Sequence, residues 1–351
     1  MTESVELIKR LSLTFGPSGC EGDVAQIIRG EIDGITDEIT LDRMGNLIAR
    51  MRFGDLGATD RKRVMVSAHM DEVGFMINEV KGNGYLGFDT VGGIDEGVLA
   101  GRRVTVRGET GDILGVIASK AIHHKDKKER KKPLGTEKLY IDIGVKSKEE
   151  AALLVDVGDF ATYDSECYEL GDGLIKGKAL DDRMGCAAMI EAMRALKEQP
   201  PRVDSDVYFC FTVREEIGLS GAQTAAFAIR PDIAIVLETT AVADVLDVPY
   251  ARRVAELRGG VVVSVMDRST VYDKSLVNAA LAVAKDKNIA AQLKRYVSGG
   301  NDAGHIHKTA DGAKTLALSV PTRYLHSPSC VAATCDYYSQ RDLLVELLKE
   351  L

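Results

Sequence analysis

Residues 206–229 read DVYFCFTVREEIGLSGAQTAAFAI, an unbroken apolar run, then an acidic turn, then a stretch of small residues with helical character. A run that is apolar at successive positions fits a strand covered on both faces, and a strand passing directly into a helix is the unit of a βαβ core. Glu215 and Glu216 stand together at the carboxyl end of that strand. Adjacent carboxylates disfavour double ionisation unless a cation offsets them, so the doublet raises a chemical question as well as a structural one.

Working outward, the same strand-then-polar pattern recurs. VMVSA at 64–68 is a second continuously apolar strand, with His69 and Asp71 at its end, and DIAIVLETT at 232–240 is a third, with Glu238 near its end. GKALDDRMG, carrying Asp181 and Asp182, leads into the helix CAAMIEAMRALKEQ, and KTLALSVPTRYLHSPS is a strand followed by His326. GGVVVSVMD and IAAQLKRYV add strands, while SLVNAALAVAKDKN and SQRDLLVELLKEL add helices. At the amino end, residues 4–15 form a helix stopped by Gly16-Pro17, Ser18 and Glu21 make a capping box for a second helix running to Asp33, and 35–51 form a hairpin.

The texture changes between residues 72 and 162. Strand-length segments such as GFMINEV, RRVTVRG and DILGVIAS are separated by glycine, with little helix signal apart from SKEEAALL. The expected organisation is therefore an α/β domain made of residues 1–71 and 163–351, interrupted by a β-rich unit at 72–162. The basic run KDKKERKK at 125–132 reads as a solvated loop rather than a binding patch, because Asp126 and Glu129 interrupt it and Pro133 follows.

Composition narrows the class. The 351 residues are 45% hydrophobic, enough for two cores, and 45 basic against 53 acidic side chains give a net charge of −8, which argues against a general nucleic-acid binder. The six cysteines are dispersed without a CxxC pair, so they are expected to be reduced. Tryptophan is absent and aromatics are 5%, a poor basis for a carbohydrate platform or base-stacking surface. The N-terminal stretch has acids before its first base and no long apolar core, so neither a signal peptide nor a membrane span is expected, and a cytoplasmic location is the default.

In open α/β sheets ligands bind beyond the carboxyl ends of the strands. Reading those ends collects His69, Asp71, Asp181, Asp182, Glu215, Glu216, Glu238 and His326. Each has a plain reading alone: Asp181 and Asp182 as helix caps, Glu238 as a solvated strand-end acid, the histidines as packing groups. Together, two imidazoles and several carboxylates are the donor chemistry of zinc, cobalt or manganese rather than of a calcium cage, and the set can hold two metals. In such a centre one carboxylate bridges, a water between the ions is acidified, and one acid stays off the metal to move protons. That division of labour accounts for the Glu215-Glu216 doublet. No HExxH, Walker or GxGxxG motif is present, and GLSGA lacks the GxSxG spacing that would make Ser220 a nucleophile. His123, His124, His305 and His307 read as loop residues, and Arg323 and Tyr324 suit either substrate contact or packing.

SAHMDEVGF at 67–75, GKALDDRMG at 177–185, TVREEIGLSGA at 212–222, VLETT at 236–240, GGNDAG at 299–304 and PTRYLHSPS at 321–329 resemble, in order, the M42 family of metallo-aminopeptidases, as does FGPSGCEG at 15–22. Some members of that family have been labelled cellulases, a chemistry that would need the acid pair free rather than occupied as ligands. The resemblance implies a zinc-peptidase-like α/β/α sandwich with a mixed central sheet and a barrel-like dimerisation insert, with dimers assembling into a tetrahedral dodecamer that degrades short peptides. It implies two divalent ions, Zn2+ or Co2+ with Mn2+ also suitable, held by His69, Asp181, Glu216, Glu238 and His326, with Asp181 bridging. Asp71 would orient His69, Glu215 would be general base and then acid, and Asp182 would stay outside the ligand set. Cys330 departs from the acidic or polar residue of many relatives, which bears on substrate preference and not on the ligands. A deacylase or carboxypeptidase using the same site, or a noncatalytic peptide-binding assembly, are the competing readings.

Overall fold

The central strand β3 (Lys62–His69) is buried from Val64 onward, as its unbroken apolar run requires. The computed structural model describes residues 2–124 and 134–351, so the KDKKERKK run lies outside the described residues. Ahead of β3 come α1 (Glu3–Leu13), α2 (Gly22–Ile32) and the antiparallel hairpin of β1 (Glu38–Leu41) and β2 (Leu47–Phe53). The capping box expected at α2 is not made. Glu21 occupies the N-cap without a side-chain bond to the helix; its carboxylate accepts from the N–H groups of Gly19 and Arg214. The Ser18 hydroxyl donates to Asp71 at 2.6 Å. The hydroxyl is thus turned to a buried carboxylate, in a charge-assisted bond that tertiary structure supplies.

After β3 the chain enters a closed antiparallel barrel formed by β4 (Gly74–Val80), β5 (Leu86–Val91), β6 (Arg103–Gly108), β7 (Gly111–Ser119), β8 (Leu139–Asp142) and β9 (Phe160–Tyr163), with α3 (Lys148–Ala151) between the last two. The barrel has its own core, in which Phe75 meets the rings of Phe88 and Tyr163 edge-on at 5.2 and 5.3 Å. The chain then returns through the hairpin β10 (Tyr168–Leu170) and β11 (Leu174–Gly177), α4 (Leu180–Glu198), β12 (Ser205–Thr212), α5 (Ser220–Ile229) and β13 (Ile233–Ala241). It finishes with β14 (Val261–Val263), α6 (Lys274–Asp286), β15 (Ala291–Leu293), α7 (Ala303–Ile306), β16 (Lys314–Arg323), β17 (Cys330–Ala333) and α8 (Thr334–Leu348).

The large sheet runs β1-β2-β12-β3-β13-β16-β17-β11-β10, with β14 and β15 attached at β16. Its four middle strands, β12, β3, β13 and β16, are parallel, whereas the flanking pairs are antiparallel, so the sheet is mixed. The strands β10, β11 and β17 are too short to carry a periodic signal; pairing at the sheet edge makes them strands. α4 packs on β3 and β13, with α1, α2 and α8 against it, while α5 and α7 pack together on β12, β3, β13 and β16. The six cysteines are unpaired. Among the described residues no helix is long and apolar enough to cross a membrane.

One buried side chain determines how the β12–α5 loop leaves the sheet. Asn46, from the turn before β2, accepts the Val213 N–H at 3.0 Å and donates to the Gly221 carbonyl at 3.0 Å and to Asp42 at 2.7 Å. The approach is close enough that a Cβ on Gly221 would stand 2.2 Å from the Val213 carbonyl oxygen. Both ends of the segment bearing Glu215 and Glu216 are thereby tied to the hairpin. Asn46→Ala leaves the buried Val213 N–H without its acceptor, while the Gly221 carbonyl keeps the Thr224 hydroxyl, and should lower the unfolding free energy by about 1–3 kcal/mol. The urea midpoint reads this directly, and an unchanged midpoint would remove Asn46 from the role.

Candidate metal centre

Register brings the polar groups to one level. His69 is paired with Thr212, and Val236 is paired with Ser67, so Glu238 arrives beside His69 at the carboxyl ends of the parallel strands. The His69 ring is fixed from behind, its Nδ1 lying 3.0 Å from the main-chain oxygen of Asp71 and 3.5 Å from that residue's carboxylate. Its Nε2 consequently faces Asp181 Oδ1 at 3.4 Å and Glu238 Oε1 at 3.6 Å. His326 is held in the same fashion by a different element: its Nδ1 is 2.6 Å from the Gly93 carbonyl, on the segment after β5. Its Nε2 faces Asp181 Oδ2 at 3.4 Å and Glu216 Oε1 at 3.2 Å.

Asp181 therefore turns one carboxylate oxygen to each imidazole. Among the described residues, three groupings have donor atoms within 4.8 Å of one another: His69 with Asp181 and Glu238, Asp181 with Glu216 and His326, and His69 with Glu215 and Glu216. Asp71 belongs to none of them. Its carboxylate accepts from the Ser18 hydroxyl and from the N–H groups of Glu215 and Glu216 at 3.0 and 3.1 Å, so it supports both the loop and the imidazole. Arg214, just before the doublet, has a left-handed φ of 56°, which turns two successive amides toward that one acid.

The Asp181-Asp182 pair divides. Asp182 is buried and accepts from the Gly185 N–H at 3.0 Å, which is the helix-capping reading. Asp181 does no capping: its Oδ1 is buried and makes no hydrogen bond. The peptide bond between them is cis, within a first turn of α4 whose backbone angles are not helical.

The electrostatics fit a cation-binding site. Burial pushes Glu215 and Glu238 well above the usual carboxylate range and raises Glu216, and neighbouring carboxylates add to each shift. Asp181 goes the other way: burial would raise it, but the facing imidazoles of His326 and His69 hold it well below. Burial works against both imidazolium ions as well, yet the acids prevail. Asp181 and Glu216 push His326 up to about 12, and the Glu238 charge together with the neighbouring carboxylates of Asp181 and Asp71 raises His69 well above its ordinary value. The carboxylates thus favour positive charge at this place. Nitrogen and oxygen donors in this proportion, around an orphaned buried carboxylate oxygen, suit borderline divalent metals.

Other residues singled out by sequence have structural duties. Arg323 pairs with Asp244 through two bonds of 2.7 and 2.8 Å, so it packs rather than faces the centre. The Tyr324 carbonyl accepts from Ser327 and, at 3.4 Å, from the Cys330 thiol, closing the turn that carries His326, while the residue as a whole is 56% exposed. His305 meets Gln223, and His307 lies 2.6 Å from the Ala303 carbonyl; neither joins a grouping. In GGNDAG it is Asp302 that reaches the centre's surroundings, accepting from the Thr212 hydroxyl at 2.7 Å. Sequence reasoning missed this link, although a buried acid within a glycine-rich motif was the available signal. It also missed Gly93, which no side-chain pattern marks.

The family model for the M42 glutamyl aminopeptidases matches residues 45–343. A putative aminopeptidase of Acetivibrio thermocellus is 38% identical over 344 residues, covering 98% of each chain. The solved TET aminopeptidase of the marine sediment archaeon Thaumarchaeota archaeon SCGC AB-539-E09 aligns with a TM-score of 0.94 at 36% identity, covering 99% of this chain and 96% of that one. The TET1 peptidase of Pyrococcus horikoshii, described as able to assemble into a tetrahedron or a large octahedral shell, aligns with a TM-score of 0.88 at 33% identity, over 99% of this chain and 100% of that one. With a family match over most of its length and relatives aligned end to end, this chain belongs to the M42 aminopeptidase family and is a peptide hydrolase.

Proposed function

We propose that the chain removes the N-terminal residue of short peptides at a centre of two divalent ions, Zn2+ or Co2+ with Mn2+ also suitable. The observation that carries this reading is the placement of Asp181, one oxygen toward each imidazole, with Glu238 beside His69 and Glu216 beside His326. On that basis His69 and Glu238 would hold one ion and Glu216 and His326 the other, with Asp181 available to both. Asp71 orients His69 and supports the loop of the glutamate doublet.

Bound divalent ions supply Lewis-acid chemistry, acidifying water and polarising a peptide carbonyl. Glu215 lies outside both histidine–acid triads built on Asp181, yet its donor atom is within 4.8 Å of those of His69 and Glu216. In this reading its carboxylate takes the proton of the attacking water and returns it to the leaving amide nitrogen, so the peptide bond breaks with a free amine as product.

The β-rich unit, residues 72–162, serves dimerisation in this reading, and residues 1–71 with 163–351 form the peptidase domain. The tetrahedron or large octahedral shell described for the Pyrococcus horikoshii relative supports a homo-oligomer, which in this reading is built of dimers up to a tetrahedral dodecamer. The unpaired cysteines are consistent with a reducing cytoplasm.

Chelator dialysis should abolish release of free amino acids from unblocked peptides, and zinc or cobalt should restore it. Release from the carboxyl end, or only from acylated peptides, would favour the carboxypeptidase or deacylase reading. Peptide binding without turnover in the metal-loaded protein would favour a noncatalytic one. Glu215→Gln should keep its metal and lose roughly 10²–10⁴ in kcat. Glu216→Gln should lose metal as well as activity, as metal analysis would record. Equal metal loss in the two variants would overturn the division of the doublet.

A further inference from the structure

The chain leaves the large sheet after Asp71 and returns through Tyr163, and a buried ion pair lies between the two crossings. Glu72 is 2% exposed and Lys178 3%. The Lys178 ammonium donates to Glu72 Oε1 at 2.5 Å and to the Thr14 carbonyl at 3.4 Å. Glu72 Oε2 accepts from the hydroxyl of Thr162, on barrel strand β9, at 2.9 Å. Arg183, fully buried and 3.6 Å from Glu72, donates to the carbonyls of Leu11, Thr14, Gly16 and Met70.

Stability alone does not account for such a pair. Replacing a buried ion pair by well-packed neutral groups is often neutral or stabilising, because desolvation offsets much of the Coulomb gain. Its covalent neighbours give it a different meaning. Glu72 follows Asp71, whose carboxylate accepts both amides of the doublet, and Lys178 precedes Asp181 by one short turn that passes through a left-handed Ala179. Glu72 and Lys178 also line, with Asp181, Glu216 and His326, a cavity of about 10 Å³. Neither is in any of the donor groupings. The pair thus stands behind both segments that deliver acids to the centre and is bonded to the barrel on its far side.

We propose that Glu72 and Lys178 are positioning residues, and that their ion pair, anchored to the barrel through Thr162, holds Asp181 where it can face both imidazoles. The proposal rests on the metal-centre reading above. It makes metal affinity depend on the barrel, which contributes no side chain to the proposed ligand set. Groups behind metal ligands typically change affinity by about 10–100-fold when lost.

Single charge-removing variants change the net buried charge and can fail to fold, so the test uses E72Q/K178M, which removes one charge of each sign and leaves Arg183 on its four carbonyl acceptors, and Thr162→Val, which removes only the barrel's bond. Zinc dissociation constants are measured by chelator competition on the full chain, beside the urea midpoint of metal-free protein and separate kcat and KM values. The expected result is a metal-free midpoint close to the parent's, zinc bound about tenfold or more weakly by the double variant, a smaller weakening in Thr162→Val, and a fall in kcat larger than the change in KM. Parental zinc affinity in folded E72Q/K178M overturns the proposal; if that variant does not fold, parental affinity in Thr162→Val does so. Glu216→Gln is measured alongside. Parental zinc binding there would defeat the metal-centre reading itself, whereas its loss there with parental binding in E72Q/K178M would defeat the positioning role alone.

Discussion

The carboxylate of Asp71 accepts hydrogen bonds from Ser18, Glu215 and Glu216 and lies 3.5 Å from the His69 ring, while fully buried. Burial alone would raise its proton affinity, but His69, the Ser18 hydroxyl and the Glu215 amide outweigh it and hold the group below the usual range. An anion kept charged inside the protein needs its donors in fixed places. The segment before α2, the end of β3 and the loop after β12 are therefore located relative to one another by a residue that joins none of the donor groupings.

Around that point the fold concentrates negative charge. The parallel strands bring Glu238 level with His69, α4 begins with Asp181 facing both imidazoles, and the β12–α5 loop adds two more acids. Like charges so close destabilise the apo protein unless protons or cations intervene. The barrel takes part as well: the Gly93 carbonyl orients His326, and Thr162 anchors Glu72. A unit that looks separate by its own hydrophobic core is thus bonded to the site at two places.

Much of this was legible because burial leaves a mark on sequence. Strands β3, β12 and β13, covered on both faces, read as unbroken apolar runs, and the acids at their ends stood out against them. Local signals failed where a distant group offered a better partner. Ser18 and Glu21 have the spacing of a capping box, yet one bonds Asp71 and the other serves Gly19 and Arg214. Arg323 suited substrate contact or packing equally until Asp244 supplied a bidentate partner. Strands β10, β11 and β17 had too few residues to show a period, and the Gly93 carbonyl has no side chain to betray it.

The βαβ texture, the β-rich interruption, the family and the inventory of imidazoles and carboxylates are readable from residue order alone, because apolar periodicity and residue type are local properties. Tertiary structure decided which oxygen faces which nitrogen, that Asp182 caps a helix while Asp181 is left to the centre, and that Asp71 stands behind His69 and the glutamate loop. Those outcomes depend on strand register and on hydrogen bonds between residues more than a hundred positions apart, such as Glu215 with Asp71 and His326 with Gly93. Spacing along the chain does not encode them.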